Sequence, residues 1–198
     1  MTDVKALGVV DDDQAVRESL TSILSAKGYR VEAFETADEL LQASRANGYA
    51  CLLVDLQMPG RTGLQLIEEL DQGGALPPTI VLTGHGSISI AVQAMKLGAR
   101  DFLEKPYSPD ELMEAVERTI ANAFADQSAP GSDFNLSELA PRQMDVLKGL
   151  VRGKPNKVIA HELGLSVRTV EHYRAALMSR MGARTLPDLL RRAISAGL

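Results

Sequence analysis

Asp11, Asp12 and Asp13 follow directly on the apolar run LGVV, and Asp55 closes the apolar run CLLVD. Thr83 closes TIVLT, and Lys105 lies two residues beyond RDFL. Carboxylates gathered in one place repel one another unless a cation sits among them. Mg²⁺ suits such a cluster, because it takes oxygen ligands in octahedral geometry and keeps several waters. Asp12 and Asp55 offer direct ligands, and the backbone carbonyl of Gln57 offers a third oxygen. An aspartate is also a nucleophile toward phosphorus when a metal and a nearby ammonium neutralise the transferring oxygens. Lys105 and Thr83 have the right types for that work, one to pair with a phosphoryl oxygen and the other to donate a hydrogen bond to it. Singly, each residue has an ordinary explanation, since aspartate runs are common in surface loops and threonine is common in strands. Convergence on one edge is what would make them a site. Gly84 lies in the glycine-rich TGHG at 83–86, but neither GxxxxGK[ST] nor GxGxxG occurs, which argues against a nucleotide-phosphate cradle.

The elements that must bring these residues together can be read from periodicity. LGVV at 7–10, YRVEAF at 29–34, CLLVD at 51–55, TIVLT at 79–83 and RDFL at 100–103 read as strands. The segment from Asp12 to Lys27 sets Val16, Leu20, Ile23 and Leu24 on one helical stripe. Thr36–Glu39 and Ser108–Glu111 are capping boxes that start helices at 37 and 109. Five strands alternating with five helices predict a doubly wound α/β domain with a parallel sheet. In such sheets, sites lie at the carboxyl ends of the strands. All the polar residues named above fall there.

From Ala125 to Leu136 the chain reads ADQSAPGSDFNL, poor in apolar residues. We read 1–125 as one domain, 126–136 as a linker and 137–198 as a second domain. Proline and glycine divide the second domain into helical pieces near 141–152, 156–163, 167–181 and 186–196, with no strand pattern. The net charge of −5 conceals an asymmetry. Residues 1–125 carry 19 acidic against 10 basic side chains, a net of −9, whereas residues 137–198 carry 5 against 11, a net of +6. The halves are expected to meet different partners, the basic one a polyanion.

An apolar content of 45% with 24% charged residues is ordinary globular composition. No stretch is long and apolar enough for a membrane span, and MTDVKALGVV does not read as a signal peptide, so a cytoplasmic location without membrane partners is expected. The single cysteine, Cys51, can form no internal disulfide and reads as a buried small hydrophobe.

Residues 1–125 resemble the receiver domain of bacterial two-component response regulators, carried by VVDDDQAVRESL, LLVDLQMPGRTGLQLI and IVLTGHGSISIAVQAMKLGARDFLEKP. The resemblance implies that Asp55 accepts a phosphoryl group from a sensor histidine kinase. It makes Asp11 and Asp12 the paired acids that hold Mg²⁺, with Asp12 the direct ligand. Thr83 becomes the switch hydroxyl, Phe102 the switch aromatic, and Lys105 the lysine before a proline joined by a cis bond. Such a protein is a switch and not an enzyme.

NKVIAHELGLSVRTVEHYRAALMSRMG reads as a helix-turn-helix. Val158, Ile159 and Leu163 are expected to face inward from the first helix, and Val170, Leu177 and Met181 from the second. Arg168, Glu171, His172, Ala175 and Ser179 are left facing solvent, as on a helix that enters the major groove. Residues 137–198 resemble the LuxR-type DNA-binding domain of the NarL/FixJ family, and the whole chain is similar to FixJ-type transcriptional activators. That resemblance implies phosphate contacts from Lys157, Arg168, Thr169, Arg174 and Arg180, and groove contacts from Glu171, His172 and Ala175. It also implies promoter DNA and RNA polymerase as partners. Where such domains place Ser or Thr to open the first helix, this chain has Ala140.

Phosphorylation is expected to produce a homodimer. Ile88, Ile90, Val92 and Met95 give the helix near 87–97 more apolar residues than one sheet-facing stripe needs, and Lys96, Arg100 and Asp101 could pair across a two-fold axis. Masking of the basic helix by the acidic domain is the competing coupling. Two other functions stay open on the residues alone: a Mg²⁺-dependent phosphatase or phosphotransferase with a helical accessory domain, and a phosphate-receiving interaction adaptor that binds no DNA.

Overall fold

The computed structural model describes residues 4–43, 48–84, 88–126 and 136–198. Its first domain runs β1 (Ala6–Val10), α1 (Gln14–Ala26), β2 (Arg30–Phe34), α2 (Ala37–Gln42), β3 (Cys51–Asp55), α3 (Gly63–Gln72), β4 (Thr79–Thr83), α4 (Ile88–Lys96), β5 (Asp101–Glu104) and α5 (Pro109–Asp126). All pairings are parallel, in the order β2-β1-β3-β4-β5. The expected doubly wound architecture is present, with β5 set one residue later than expected.

Every residue of β1, β3 and β4 is buried, because helices cover both sheet faces. Period-two alternation sorts their side chains. Leu7, Val9, Cys51, Leu53, Ile80 and Leu82 pack with Leu20 and Leu24 of α1 and Leu112 and Val116 of α5. Val10, Leu52 and Val54 pack on the other face with Leu40 of α2 and Leu66 of α3, beside a cluster of Val81 with Ala91 and Met95 of α4. Cys51 is fully buried, and burial drives its thiol pKa far up.

The second domain begins with a short 3-10 turn at Leu136–Glu138, followed by α6 (Pro141–Val151), α7 (Asn156–Leu163), α8 (Val167–Arg180) and α9 (Leu186–Ser195). Val146, Leu147, Leu150, Ile159, Val170, Leu177, Leu189 and Leu190 form its core. Alanine at 140 leaves α6 without a side-chain acceptor at its cap. Pro141 supplies a pre-set first turn, and Gln143 Oε1 accepts the Ala140 N–H at 3.2 Å. Ser166 opens α8 in the usual way, accepting the Thr169 N–H at 3.0 Å.

One expectation within α7 is corrected. Val158 is 42% exposed, and Ala160, at 3%, takes the inward place beside Ile159. With the core on the 159/160 side of the helix, a residue one position earlier is rotated outward by 100°.

The cores of the two domains meet. Val92 of α4 belongs to the buried cluster of the helical domain, Phe102 of β5 packs against it, and Ile194 of α9 reaches the cluster beneath α4. Gly153, after α6, lies so close to α4 that a β-carbon there would stand 2.3 Å from Ser89 Cα.

Candidate functional site

A sheet in this strand order changes direction at β1, so the carboxyl ends of β1 and β3 open onto a crevice. Val10 pairs with Val54 in the sheet register, which sets Asp11 beside Asp55. One carboxylate oxygen from each of Asp11, Asp12 and Asp55 lies within 4.8 Å of the others. Lys105 follows directly on β5, just before the cis Lys105–Pro106 bond, and its Nζ donates to Asp11 Oδ2 at 2.8 Å and Asp55 Oδ2 at 2.9 Å. Residues far apart in sequence thus meet at one point.

The remaining oxygens are held by backbone. Asp11 Oδ1 accepts the Asp13 N–H at 3.0 Å, and Asp55 Oδ1 accepts the Gln57 N–H at 3.1 Å. Asp11 is fully buried while Asp12 is exposed. Burial raises the Asp11 carboxyl above its ordinary value, and the bond from Lys105 offsets only part of that. For Lys105, burial alone would lower the ammonium pKa, but its bonds to Asp11 and Asp55 outweigh it and leave the group raised. Three converging carboxylates, one of them buried with its charge under-compensated, fit a hard oxygen-seeking cation. Mg²⁺ is the cofactor of this cluster.

Thr83 is buried at the end of β4, its hydroxyl 3.4 Å from the Gly84 carbonyl, and Phe102 is partly buried at the domain junction. His85 lies outside the described residues. Asp13 does a different job from its neighbours: its carboxylate caps α1, accepting the Ala15 N–H at 2.8 Å and the Val16 N–H at 3.4 Å. Sequence reasoning missed Arg17. Its Nη1 donates to the backbone carbonyls of Asp11 at 2.8 Å and Asp12 at 2.9 Å, fixing the loop that carries both acids. Four residues after its capping aspartate, on the first turn of α1, an arginine faces back toward that loop; this placement was the available signal.

The second surface lies on the helix-turn-helix. Lys157, Arg168, Glu171, His172, Ala175 and Arg180 are exposed, and Thr169 and Arg174 are half-buried. Val170 and Leu177, both fully buried, fix the opposite side of α8. Arg180 also reaches Gln143 Oε1 at 3.4 Å, tying the end of α8 to the start of α6.

The residues expected to pair two copies are divided by the structure. Ile90 and Arg100 are half-buried and Lys96 is exposed, but Met95 and Asp101 are buried. Asp101 is committed within its own domain: Arg118 Nε and Nη2 donate to its Oδ2 at 3.1 and 2.5 Å, and its Oδ1 accepts the Phe102 N–H at 2.8 Å. Burial raises its carboxyl, offset in part by Arg118 and, across the junction, by Arg191 of α9. Asp101 is thus already paired within its own domain, and a cleft lined by Met95, Arg100, Arg191 and Ile194 runs between α4 and α9.

The chain matches the response regulator receiver domain over residues 7–117 and the luxR family of bacterial regulatory proteins over residues 137–193. It is 39% identical over 202 residues to the transcriptional regulatory protein FixJ of Bradyrhizobium diazoefficiens, covering 100% of this chain and 98% of that protein. It is 43% identical over 194 residues to FixJ of Azorhizobium caulinodans, covering 96% of this chain and 92% of that one. A crystal structure of full-length FixJ from B. japonicum superposes with a TM-score of 0.61 at 39% identity, covering 99% of this chain and 98% of the other. These matches decide against the phosphatase and the adaptor readings. Among the described residues, no helix is long and apolar enough to cross a membrane. With an acidic Mg²⁺ cluster at the β1/β3 crevice and a helix-turn-helix behind it, the chain belongs to the FixJ/NarL family of two-component response regulators, phosphorylation-controlled DNA-binding transcriptional regulators that take their phosphoryl group from a sensor histidine kinase and dimerise when phosphorylated.

Proposed function

We propose that Asp55 is the phosphoacceptor. The observation that carries this is the Lys105 ammonium bridging Asp55 and the buried Asp11, with Asp12 beside them. A carboxylate oxygen of Asp55 attacks the phosphorus of a phosphohistidine. An O–P bond forms as the N–P bond breaks, and that electron pair returns to the imidazole. Lys105 pairs with the incoming phosphoryl oxygens, and the Thr83 hydroxyl, with Gly84 beside it, turns to donate to one of them. Asp11, Asp12, Asp55 and the backbone carbonyl of Gln57 hold Mg²⁺, which, when bound, neutralises charge on those oxygens. With Mg²⁺ and acetyl phosphate, the intact mass of the protein rises by one phosphoryl group, and Asp55→Asn abolishes the rise. Equal labelling of that variant would overturn the assignment.

In the same reading, the receiver spans 1–125 and the DNA-binding domain 137–198, joined through 126–136. Lys157, Arg168, Thr169, Arg174 and Arg180 meet phosphates, while Glu171, His172 and Ala175 meet base edges; the exposure of the α8 face supports its use as the DNA-contacting surface. Ile90, Lys96 and Arg100 belong to the receiver-pairing face. The packing of α9 on α4 and β5 favours a second element of control: receiver pairing requires α9 to leave, and the movement of Phe102 that follows Thr83 loosens its seat. Sedimentation velocity of the full-length protein tests this, since Ile194→Asp should allow pairing without phosphate. A monomer there would count against the competition.

A further inference from the structure

Among the described residues only three large apolar side chains are exposed, and two lie in the helix-turn-helix: Val158 at 42% and Val167 at 40%. Val167 is the first residue of α8, immediately after its Ser166 cap. It precedes Glu171 by four residues and Ala175 by eight, so the three stand one above another along the helix, and all three are exposed. The first turn of a recognition helix is the part that reaches base edges. A valine there has no donor or acceptor. The apolar feature that a base edge presents in the major groove is the C5-methyl group of thymine.

We propose that Val167 reads a thymine methyl and extends the base-reading stripe Val167–Glu171–Ala175 toward the start of α8. Val167 is thereby a specificity residue, distinct from the cationic contacts at Lys157, Arg168 and Arg174, which hold the backbone of any sequence. The occupant of the exposed valine is duplex DNA because the side chain continues a face that already carries Glu171 and Ala175, in a domain of net charge +6. This inference rests on the assignment of α8 as the reading helix.

The test uses the full-length protein, phosphorylated with acetyl phosphate and Mg²⁺, on a duplex it selects from a random pool. Each thymine of the selected half-site is replaced in turn by deoxyuridine, which removes only the methyl group. One replacement should weaken the wild-type protein about three- to fivefold, the scale of one buried methyl. Val167→Ala should bind the thymine duplex weaker by a similar factor and lose its sensitivity at that position. Val158→Ala, a matched loss of an exposed valine on α7, should keep the sensitivity. Wild-type protein indifferent to every deoxyuridine, or Val167→Ala as sensitive as wild type at each position, would overturn the role of Val167 while leaving α8 as the reading helix. Failure to select any duplex would overturn the DNA-reading assignment and this inference with it.

Discussion

The proposed phosphoacceptor site and the proposed DNA-reading face solve opposite problems. At the first, charges are withdrawn from water and fixed: Asp11 is fully buried, Lys105 bridges two carboxylates, and backbone N–H groups hold the remaining oxygens. At the second, Arg168, Glu171 and His172 stand in solvent on a helix whose far side carries the buried Val170 and Leu177. A site that must stabilise charge developing on a small group gains from being built in advance. A face that must settle on a long polyanion gains from leaving its cations hydrated until the partner arrives. The first arrangement ties function to the stability of its domain, and the second separates them.

The largest effect expected from that contrast lies at Lys105. Lys105→Ala strips the buried Asp11 of its ammonium partner, and urea unfolding of the receiver should lose about 2 kcal/mol. Added Mg²⁺ should restore more of that loss than it adds to the wild type. Arg174→Ala should leave the unfolding free energy of the helical domain within about 0.5 kcal/mol of the wild type. Comparable destabilisation by the two substitutions would erase the distinction between the regions.

Next in size is the sorting within the DNA face. Arg174→Ala should weaken related and unrelated duplexes alike by roughly five- to tenfold, with the slope of log K against log salt reduced by about one. Glu171→Gln should keep the slope and change the ranking of sequences, as expected of a carboxylate that accepts from a cytosine amino group. Equal slopes and equal losses for both variants would show that the contacts are sorted wrongly.

A finer test separates the junction from both regions. Gly153 and Gly164 both have left-handed φ, +70° and +65°, so alanine at either costs on the order of 1 kcal/mol in backbone strain. Only at Gly153 would the added carbon also strike Ser89 of α4, since nothing lies within 4 Å at Gly164. Gly153→Ala should therefore raise receiver pairing of unphosphorylated protein severalfold in sedimentation velocity, and Gly164→Ala should not. Matching behaviour would mean that the contact with α4 has no part in control.

The smallest effect concerns Asp188 on α9. Burial alone would raise its carboxyl, but the Arg184 N–H and the guanidinium groups of Arg192 and Arg191 more than offset that and hold it below its ordinary value. A depressed carboxyl stabilises the fold above the unfolded-chain value near 4, and that stability is lost as pH falls through the lower folded value. Asp188→Asn should cost the helical domain about 1 kcal/mol at pH 7. The gap between the two proteins should close below about pH 4. A gap that persists in acid would assign the loss to packing.

What could be read from the residues depended on how far each signal travels along the chain. Strand-end positions announced Asp11, Asp55, Thr83 and Lys105, because a doubly wound sheet sends every carboxyl end to one edge. Asp13 was harder to place, since an aspartate before a helix is both a cap and a plausible ligand, and only geometry separates the two. In α7, Val158 drew the inward assignment because Ala160 is too small to mark a stripe by hydropathy. The docking of α9 left no trace in periodicity: Leu190, Ala193 and Ile194 serve a helix packed on its own domain equally well. The opposed net charges suggest electrostatic masking of α8, whereas the described junction packs Val92, Phe102 and Ile194 together and sets Arg191 of α9 near Asp101. Apolar partners from different domains carry no label that pairs them.

Each protomer carries its own α9 against its own α4, and this shapes how steeply the protein responds. Under the proposal that pairing requires both copies to release that helix, the apparent association constant scales with the square of the released fraction. A released fraction on the order of one in ten at rest weakens pairing about a hundredfold, and phosphorylation that brings the fraction near unity recovers all of it. On that proposal, the packing of α9 on α4 would act as a threshold in protein concentration, below which partial phosphorylation is filtered out and above which occupancy of paired operator sites rises sharply.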